Sequence, residues 1–220
     1  MYNSMNQGKV MFSDSWLVNI IIFSDFLWTI SWFAGVYFGF KKLHFTIPGL
    51  TIGNALAWEI VSLIFLDNLP KVGAFYLNYI LWPILSTFNF YFFFKYSKRR
   101  STFFVIVWFL ISLIITFILM KNFNSNNIFL FSGSITTFII STGFLYQILK
   151  DQTVIRHHKE VWIPRILAIS IQTLIILAII DIKLPYWIIL LRLINLVIEI
   201  VYIGVFFNYR KSTESPSCLH

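Results

Sequence analysis

Charged residues and cysteines are scarce in this chain of 220 residues, and the familiar motifs of soluble enzymes are missing. Only 12% of the residues carry a formal charge, about half the usual share of a globular domain. The one cysteine, Cys218, excludes an internal disulfide and any cysteine-based metal site. No glycine-rich phosphate loop, Gly-x-Ser-x-Gly elbow or His-Glu-x-x-His zinc motif occurs. A soluble enzyme that depends on one of these motifs is therefore excluded.

Long apolar runs make up most of the chain instead. Hydrophobic residues account for 58% of it and aromatic residues for 20%, with 25 Phe, 8 Trp and 10 Tyr. A run of about 20 apolar residues is long enough to cross a bilayer as a helix. Seven such runs can be placed, at 16–40, 49–67, 73–95, 102–120, 127–149, 162–181 and 185–208. The sequence therefore predicts an all-α, polytopic membrane bundle of seven transmembrane helices over 16–208, between a polar leader (1–15) and a polar tail (209–220).

The 17 basic residues, which give a net charge of +8, are distributed unevenly between the two ends of these runs. The leader and the second, fourth and sixth connections hold only Lys9, Lys71, Lys121 and Lys183. The other connections and the tail hold Lys41, Lys42, Lys95, Lys98, Arg99, Arg100, Lys150, Arg156, Lys159, Arg165, Arg210 and Lys211. Since cytoplasmic loops are rich in Lys and Arg, the pattern predicts an outside N-terminus and a cytoplasmic C-terminus. It indicates a multi-pass protein of the bacterial plasma membrane or the endoplasmic reticulum, not a nucleic-acid-binding protein.

Four ionisable side chains fall well inside the predicted spans, away from their ends: Asp25, Glu59, Arg192 and Glu199. Ionisable residues within a membrane usually face the protein interior and mark a path or a reactive site. The seventh span has a polar face, because at 100° per residue an arc of about 80° contains Arg192, Asn195, Glu199 and Tyr202. Three other spans carry polar and aromatic groups at helical spacing: Asp25, Trp28, Thr29 and Trp32; Asn54, Trp58 and Glu59; and Tyr79, Trp82 and Ser86. We expect these four faces to converge.

The depth of the ionisable groups predicts how they pair. Asp25 and Arg192 both lie in the outer halves of spans that run in the same direction, which favours a structural ion pair between them. Glu59 and Glu199 are then left without a cationic partner, and we expect their carboxyls to meet near the middle of the bilayer. A buried carboxyl without a counter-charge retains its proton and can act as a Brønsted acid. Aromatic rings around it stabilise a cation, so the pattern favours carbocation chemistry, although a helix-to-helix hydrogen bond or a transport path stays open.

One stretch of about thirty residues carries a resemblance to a known family. It contains Trp-Thr-Ile from Trp28, Gly-Phe-Lys-Lys from Gly39, then Pro48, Asn54 and Trp-Glu at 58–59. In order and spacing it resembles the small seven-helix integral membrane terpene cyclases of fungal meroterpenoid and indole-diterpene pathways and their bacterial relatives. The resemblance implies a bundle of the kind that the apolar runs predict.

The resemblance also implies roles for single residues. In the family, an acidic residue of the second helix acts with one of the last helix, and the matching positions here are Glu59 and Glu199. Glu199 is followed by Tyr202 in Glu-Ile-Val-Tyr, where the family usually has an aspartate before the tyrosine. The acidic position of the family's third helix is Ser86 here, within Trp-Pro-Ile-Leu-Ser.

The implied function is a membrane-bound terpene cyclase. Such an enzyme protonates a terminal epoxide or alkene of a lipophilic prenylated substrate and cyclises it through a carbocation, without a metal or another cofactor. Glu59 is the candidate general acid, and Glu199 is its hydrogen-bond partner, the final proton acceptor or the acid itself. Residues expected to orient the carboxyls are Asn54, Asn195 and Tyr202, and residues expected to line the cation path are Trp28, Trp32, Trp58, Tyr79 and Trp82.

Two other functions use the same residues. A small heptahelical transporter or ligand-binding protein would bind its ligand at the polar cluster, and a sterol-type double-bond isomerase would use the acids and aromatic rings on a hydrophobic substrate. A polyprenyl transferase is disfavoured, because the chain lacks the paired Asp-rich motifs that hold Mg²⁺ against a diphosphate.

Overall fold

The computed structural model describes residues 15–65, 73–122, 126–151, 158–178 and 186–213. Within these ranges every regular element is an α-helix, and the seven helices are α1 (Ser15–Lys42), α2 (Gly49–Ile64), α3 (Gly73–Tyr96), α4 (Arg99–Asn122), α5 (Asn126–Asp151), α6 (Lys159–Ala178) and α7 (Tyr186–Thr213). The all-α prediction is confirmed, and each predicted span overlaps one helix. Residues 66–67, 179–181 and 185 of the predicted spans lie outside the described residues. The predicted leader, apart from Ser15, and residues 214–220 of the predicted tail lie outside the described residues. Residues 209–213 are the helical end of α7 rather than the start of a polar tail.

Three helical stretches are long and apolar enough to cross a membrane, as judged by length and composition: Asn19–Lys42, Ser101–Lys121 and Tyr186–Tyr209. A fourth helix, α2, is apolar but has only 16 residues. These segments are rich in Ile, Val and Phe, which favour strands in water. A long segment without water around it satisfies its backbone polar groups internally only as a helix. Continuous apolar length, rather than helix propensity, is therefore what predicts these helices.

Packing between helices, some consecutive and some distant in sequence, closes six of them into a ring. In order around the ring they are α1, α3, α2, α5, α7 and α6, and α6 returns to α1. The remaining helix, α4, packs outside the ring against α2 and α5. The contact between α1 and α6 is antiparallel, since the hydroxyls of Ser24 and Ser31 donate to the carbonyls of Ala168 and Val161. As a result, α1 and α7 are separated by α6.

Two glycines let α1 and α3 approach closely. Gly35 and Gly39 are four residues apart, so they lie on one face of α1. A Cβ at Gly35 would lie 2.6 Å from Oδ1 of Asn89, and a Cβ at Gly39 would overlap the ring of Phe92. Small residues at this spacing are typical of tightly packed membrane helices. The closeness of α1 and α3 therefore depends on the missing side chains.

Gly39→Leu is expected to destabilise the protein, because the new side chain must displace the buried Phe92 ring. Overpacking of this kind typically costs about 1 to 3 kcal/mol. The matched control is Gly204→Leu, since an added Cβ at Gly204 meets nothing within 4 Å. Thermal unfolding in detergent should show a lower Tm for Gly39→Leu and an unchanged or slightly higher Tm for the control. Equal Tm values for the two variants would mean that Gly39 is not a packing residue.

Candidate functional site

Glu59 lies in the middle of α2 and is buried, with 4% of its surface exposed. The hydroxyl of Ser86 on α3 lies beside its carboxyl, but neither Ser86 Oγ nor Glu59 Oε2 is aligned for a hydrogen bond. Two more polar atoms on α2 lack a partner within the part of the chain that the structure describes, Asn54 Nδ2 and Ser62 Oγ. Buried polar atoms are usually bonded, so Glu59 lies in a polar strip that can bind a ligand or water.

The predicted aromatic residues of the first three helices belong to one buried core. The ring of Trp58 lies 6.5 Å from that of Tyr79, and Tyr79 lies 6.3 Å from Trp82. On α1, Trp28 and Trp32 stack with their centroids 6.4 Å apart. The indole of Trp82 joins α3 to α1 by donating to the hydroxyl of Thr29 at 2.8 Å. These rings, Glu59 and Asp25 form one unit that we call the carboxyl–aromatic cluster: Asp25, Trp28, Trp32, Trp58, Glu59, Tyr79 and Trp82.

Asp25 belongs to this cluster and not to an ion pair with Arg192. Its buried carboxyl interacts with the side chains of Asn78 and Tyr79 on α3. Arg192 instead donates from Nε to Ser134 Oγ at 2.8 Å and from Nη1 to Gln172 Oε1 at 3.1 Å. The predicted pair is wrong because α6 separates α1 from α7. Matching depth alone does not bring two side chains together.

Glu199 has a cationic partner, contrary to the prediction. Arg165 Nη2 donates to Glu199 Oε2 at 2.6 Å, and both side chains are 1% exposed. The guanidinium carbon of Arg165 also lies 3.8 Å from the centre of the Phe144 ring and 5.2 Å from that of Tyr202. We call Phe144, Trp162, Arg165, Glu199 and Tyr202 the ion-pair cluster. In this cluster the Glu199 carboxylate is the salt-bridge partner of Arg165.

Arg165 was the functional residue that the sequence analysis missed. The sequence analysis counted Arg165 with the basic residues of the connection, although the predicted span began at 162, and α6 begins at Lys159 and contains Pro164. A signal was nevertheless present in the spacing. Residues 162, 165 and 172 of α6 mirror residues 202, 199 and 192 of α7, and each mirrored pair is in contact: Trp162 with Tyr202, Arg165 with Glu199, and Gln172 with Arg192. Complementary residue types at mirrored spacing therefore predict an antiparallel helix pair.

The two glutamates lie in different clusters, so the predicted meeting of Glu59 and Glu199 is wrong. Between α2 and α7 lies α5, which receives a hydrogen bond from Thr51 Oγ1 at the carbonyl of Ile140. Phe144, one helical turn further along α5, is the ring under Arg165. The salt bridge is therefore nearest to the Thr51 end of α2. Glu59 is eight residues from Thr51, which is about 12 Å along a helix.

The three orienting residues are divided in the same way. Asn54 lies on α2 with Glu59. Asn195 donates from Nδ2 to the carbonyl of Ser134 at 3.4 Å, and Tyr202 packs edge-on against Phe144 and Trp162. Asn195 and Tyr202 therefore support the contacts among α5, α6 and α7. Glu59 and Asp25 are the carboxyls that share aromatic surroundings.

Away from both clusters, His158 connects the start of α6 to the end of α1. Its ring stacks on Phe38 with centroids 3.8 Å apart, and His44 lies 5.4 Å away. Burial lowers the pKa of His158 below its usual value of 6.5, the charges of His44 and Lys42 act in the same direction, and Glu160 opposes them. The folded protein therefore favours the neutral imidazole.

Acidification is expected to destabilise this end of the bundle. Because the pKa of His158 is lower in the folded chain, its contribution to stability is complete above the unfolded value of about 6.5 and is lost as the pH falls through the folded value. Tm should therefore fall between about pH 7.5 and about pH 5. In His158→Gln, which has no titrating group at position 158, the fall in Tm should be smaller. A fall of the same size in both proteins would assign the effect to another group.

Comparison of the chain with protein-family models, with curated proteins and with solved structures finds no match. Among the described residues, no group of three or more His, Cys, Asp or Glu side chains could hold a metal ion. The function must therefore be argued from the chemistry of the carboxyl–aromatic cluster.

Proposed function

We propose that the protein is an integral, multi-pass membrane protein whose seven helices all cross the bilayer, with the N-terminus outside and the C-terminus in the cytoplasm. The distribution of side chains supports this proposal, because it is the reverse of that in a soluble protein. Large apolar side chains on α4 are exposed, including Phe103, Phe104 and Ile114. Charged side chains are buried, including Asp25, Glu59, Arg165, Arg192 and Glu199. The membrane is the bacterial plasma membrane or the endoplasmic reticulum, according to the source.

We further propose that the protein is a metal-independent terpene cyclase and that Glu59 is its general acid. The observation that carries the proposal is a buried carboxyl with one oxygen, Oε2, unbonded within the described chain. It lies on α2 next in sequence to Trp58, whose ring packs with those of Tyr79 and Trp82. A carboxylic acid in such surroundings can donate a proton. The rings can stabilise the resulting cation at about 0.5 to 2 kcal/mol each. The substrate is a lipophilic prenylated molecule that enters from the bilayer.

The reaction is a redistribution of bonds within the substrate. The Glu59 O–H bond breaks and the proton goes to the oxygen of a terminal epoxide, or to the terminal carbon of an alkene. The epoxide C–O bond opens, or the alkene π bond is consumed, and a tertiary carbocation forms. Successive π bonds attack the cation and become ring C–C bonds. Loss of a proton from carbon ends the sequence, so the product is an isomer of the substrate.

The final proton needs an acceptor, and Asp25 is the second carboxyl of the cluster. It replaces Glu199 in this role, because Glu199 is bound to Arg165 and lies nearer to Thr51 than to Glu59 along α2. Ser86 lies beside the Glu59 carboxyl and can position it. Transfer of the accepted proton back to Glu59 closes the catalytic cycle.

Expression in a membrane host that lacks cyclases tests the proposal. Membranes are supplied with farnesylated or geranylgeranylated acceptors, each with and without a terminal epoxide. The products are separated, and their masses and olefinic protons are measured by mass spectrometry and proton NMR. A product of unchanged mass with fewer olefinic proton signals supports a cyclase. Unchanged mass with a shifted double bond, no new carbocycle and, in the epoxide substrates, an intact epoxide indicates the sterol-type isomerase. No conversion of any substrate by folded protein would favour the transporter or ligand-binding function.

A further inference from the structure

Arg192 is a buried cation whose described partners are all neutral. It lies two turns into α7 and is 5% exposed. Its Nε donates to Ser134 Oγ, and its Nη1 donates to Gln172 Oε1 and, at 3.5 Å, to Thr137 Oγ1. These three acceptors, on α5 and α6, hold the guanidinium in one orientation. They contribute no negative charge.

The charge of Arg192 is not balanced elsewhere among the described residues. The only acid on its own helix within that part of the chain is Glu199, two turns away, and Glu199 is bound to Arg165. Asp25 and Glu59 face α3 across the ring of helices. A guanidinium remains charged in proteins, and burying a charge without a counter-ion carries a large desolvation cost. A bound anion would offset that cost.

Two polar atoms at this position remain available to a ligand. Nη2 of Arg192 makes no hydrogen bond to any residue in the described ranges. One turn along α7, Asn195 is completely buried, and its Oδ1 has no partner there. Nη2 supplies two N–H donors for an anion, and Oδ1 supplies an acceptor for a hydroxyl group. Because Nε and Nη1 are already held, the free edge of the guanidinium is fixed before a ligand arrives.

We propose that Arg192 and Asn195 form a binding site for the anionic head group of an amphiphilic molecule, a carboxylate or a phosphate. Ser134, Thr137 and Gln172 position the guanidinium, and the apolar chain of the ligand lies along the helices or in the bilayer. The site is formed by α5, α6 and α7, whereas the carboxyl–aromatic cluster is formed by α1, α2 and α3. It therefore does not depend on the cyclase function. The head group can come from a membrane lipid or from a free isoprenoid acid or phosphate.

Ligand-induced thermal stabilisation of the purified protein in neutral detergent tests the site. The probes are farnesyl phosphate, farnesoic acid at neutral pH, and farnesol as the uncharged match. The anionic probes should raise Tm and farnesol should not. In a second arm, the protein is reconstituted in phosphatidylglycerol or phosphatidylcholine vesicles. Stabilisation by phosphatidylglycerol without a response to the farnesyl anions would identify the ligand as a lipid head group, which still supports the site.

Two variants assign the response to these residues. Arg192→Gln should weaken binding of the anionic probes by at least about tenfold, since it removes a charge-assisted hydrogen bond. Asn195→Asp places an internal anion one turn from Arg192, so it should raise Tm without ligand and abolish the anion response. The control is Lys95→Gln, which removes an exposed cation near Tyr91 and should leave binding unchanged. Equal stabilisation of the wild type by farnesol and the anionic probes would overturn the proposal, and this result requires no variant to fold.

Discussion

Purified Glu59→Gln protein is expected to remain folded and to lose turnover by about 10²- to 10⁴-fold, the usual contribution of a general acid. The amide has nearly the same shape as the carboxyl, and Ser86 beside it can donate or accept a hydrogen bond. It has no acidic proton, however, so it cannot open an epoxide or protonate an alkene. The measurement is the initial rate of isomer formation by detergent-solubilised protein at equal concentrations of folded enzyme.

The matched control for Glu59→Gln is Glu160→Gln, the same substitution at an exposed acid of α6. It should retain the wild-type rate, because Glu160 lies outside both clusters. Asp25→Asn should slow turnover as well, if Asp25 accepts the final proton, and should lead to premature release of partly cyclised products. A Glu59→Gln protein that works at the wild-type rate would remove Glu59 from the mechanism and with it the proposed chemistry.

The second large effect is expected at the salt bridge between Arg165 and Glu199, and it concerns stability. Removing one partner of a buried pair leaves an uncompensated charge and typically costs about 3 to 5 kcal/mol. Arg165→Met and Glu199→Leu should therefore each reduce the yield of folded protein and its Tm. The double variant should recover most of the loss, because two apolar side chains can replace a buried ion pair without leaving a charge. Thermal unfolding of the four proteins forms a complete double-mutant cycle.

A third substitution at this site separates charge from ring contact. Arg165→Lys keeps the positive charge but loses the planar group that lies 3.8 Å from the centre of the Phe144 ring. Its Tm should therefore lie between that of Arg165→Met and that of the wild type. Additive losses in the double variant would mean that the salt bridge contributes nothing to the fold. Because α7 also carries Arg192, the Tm values should be measured without added anionic amphiphiles.

The faces of single helices could be predicted from the sequence with good accuracy. Apolar runs placed the seven helices, since run length and the need to satisfy the backbone are local properties. Helical spacing predicted that Trp58, Tyr79 and Trp82 come together, because two consecutive helices, α2 and α3, supply those residues and pack together. Spacing also identified Arg192, Asn195, Glu199 and Tyr202 as one polar face, and all four are buried.

What the sequence by itself determined was therefore the helices and the buried polar faces of α1, α2, α3 and α7. Which helix lies opposite a given face was decided only by the tertiary structure. Asp25 and Arg192 were predicted to pair, yet α6 lies between their helices, and Glu199 meets Arg165 rather than Glu59. The physical reason is that periodicity and run length describe one helix in isolation, whereas neighbour order depends on contacts such as Gly35 and Gly39 against α3, and Ser24 and Ser31 against α6. Those contacts join residues far apart in the chain, and no local pattern records them.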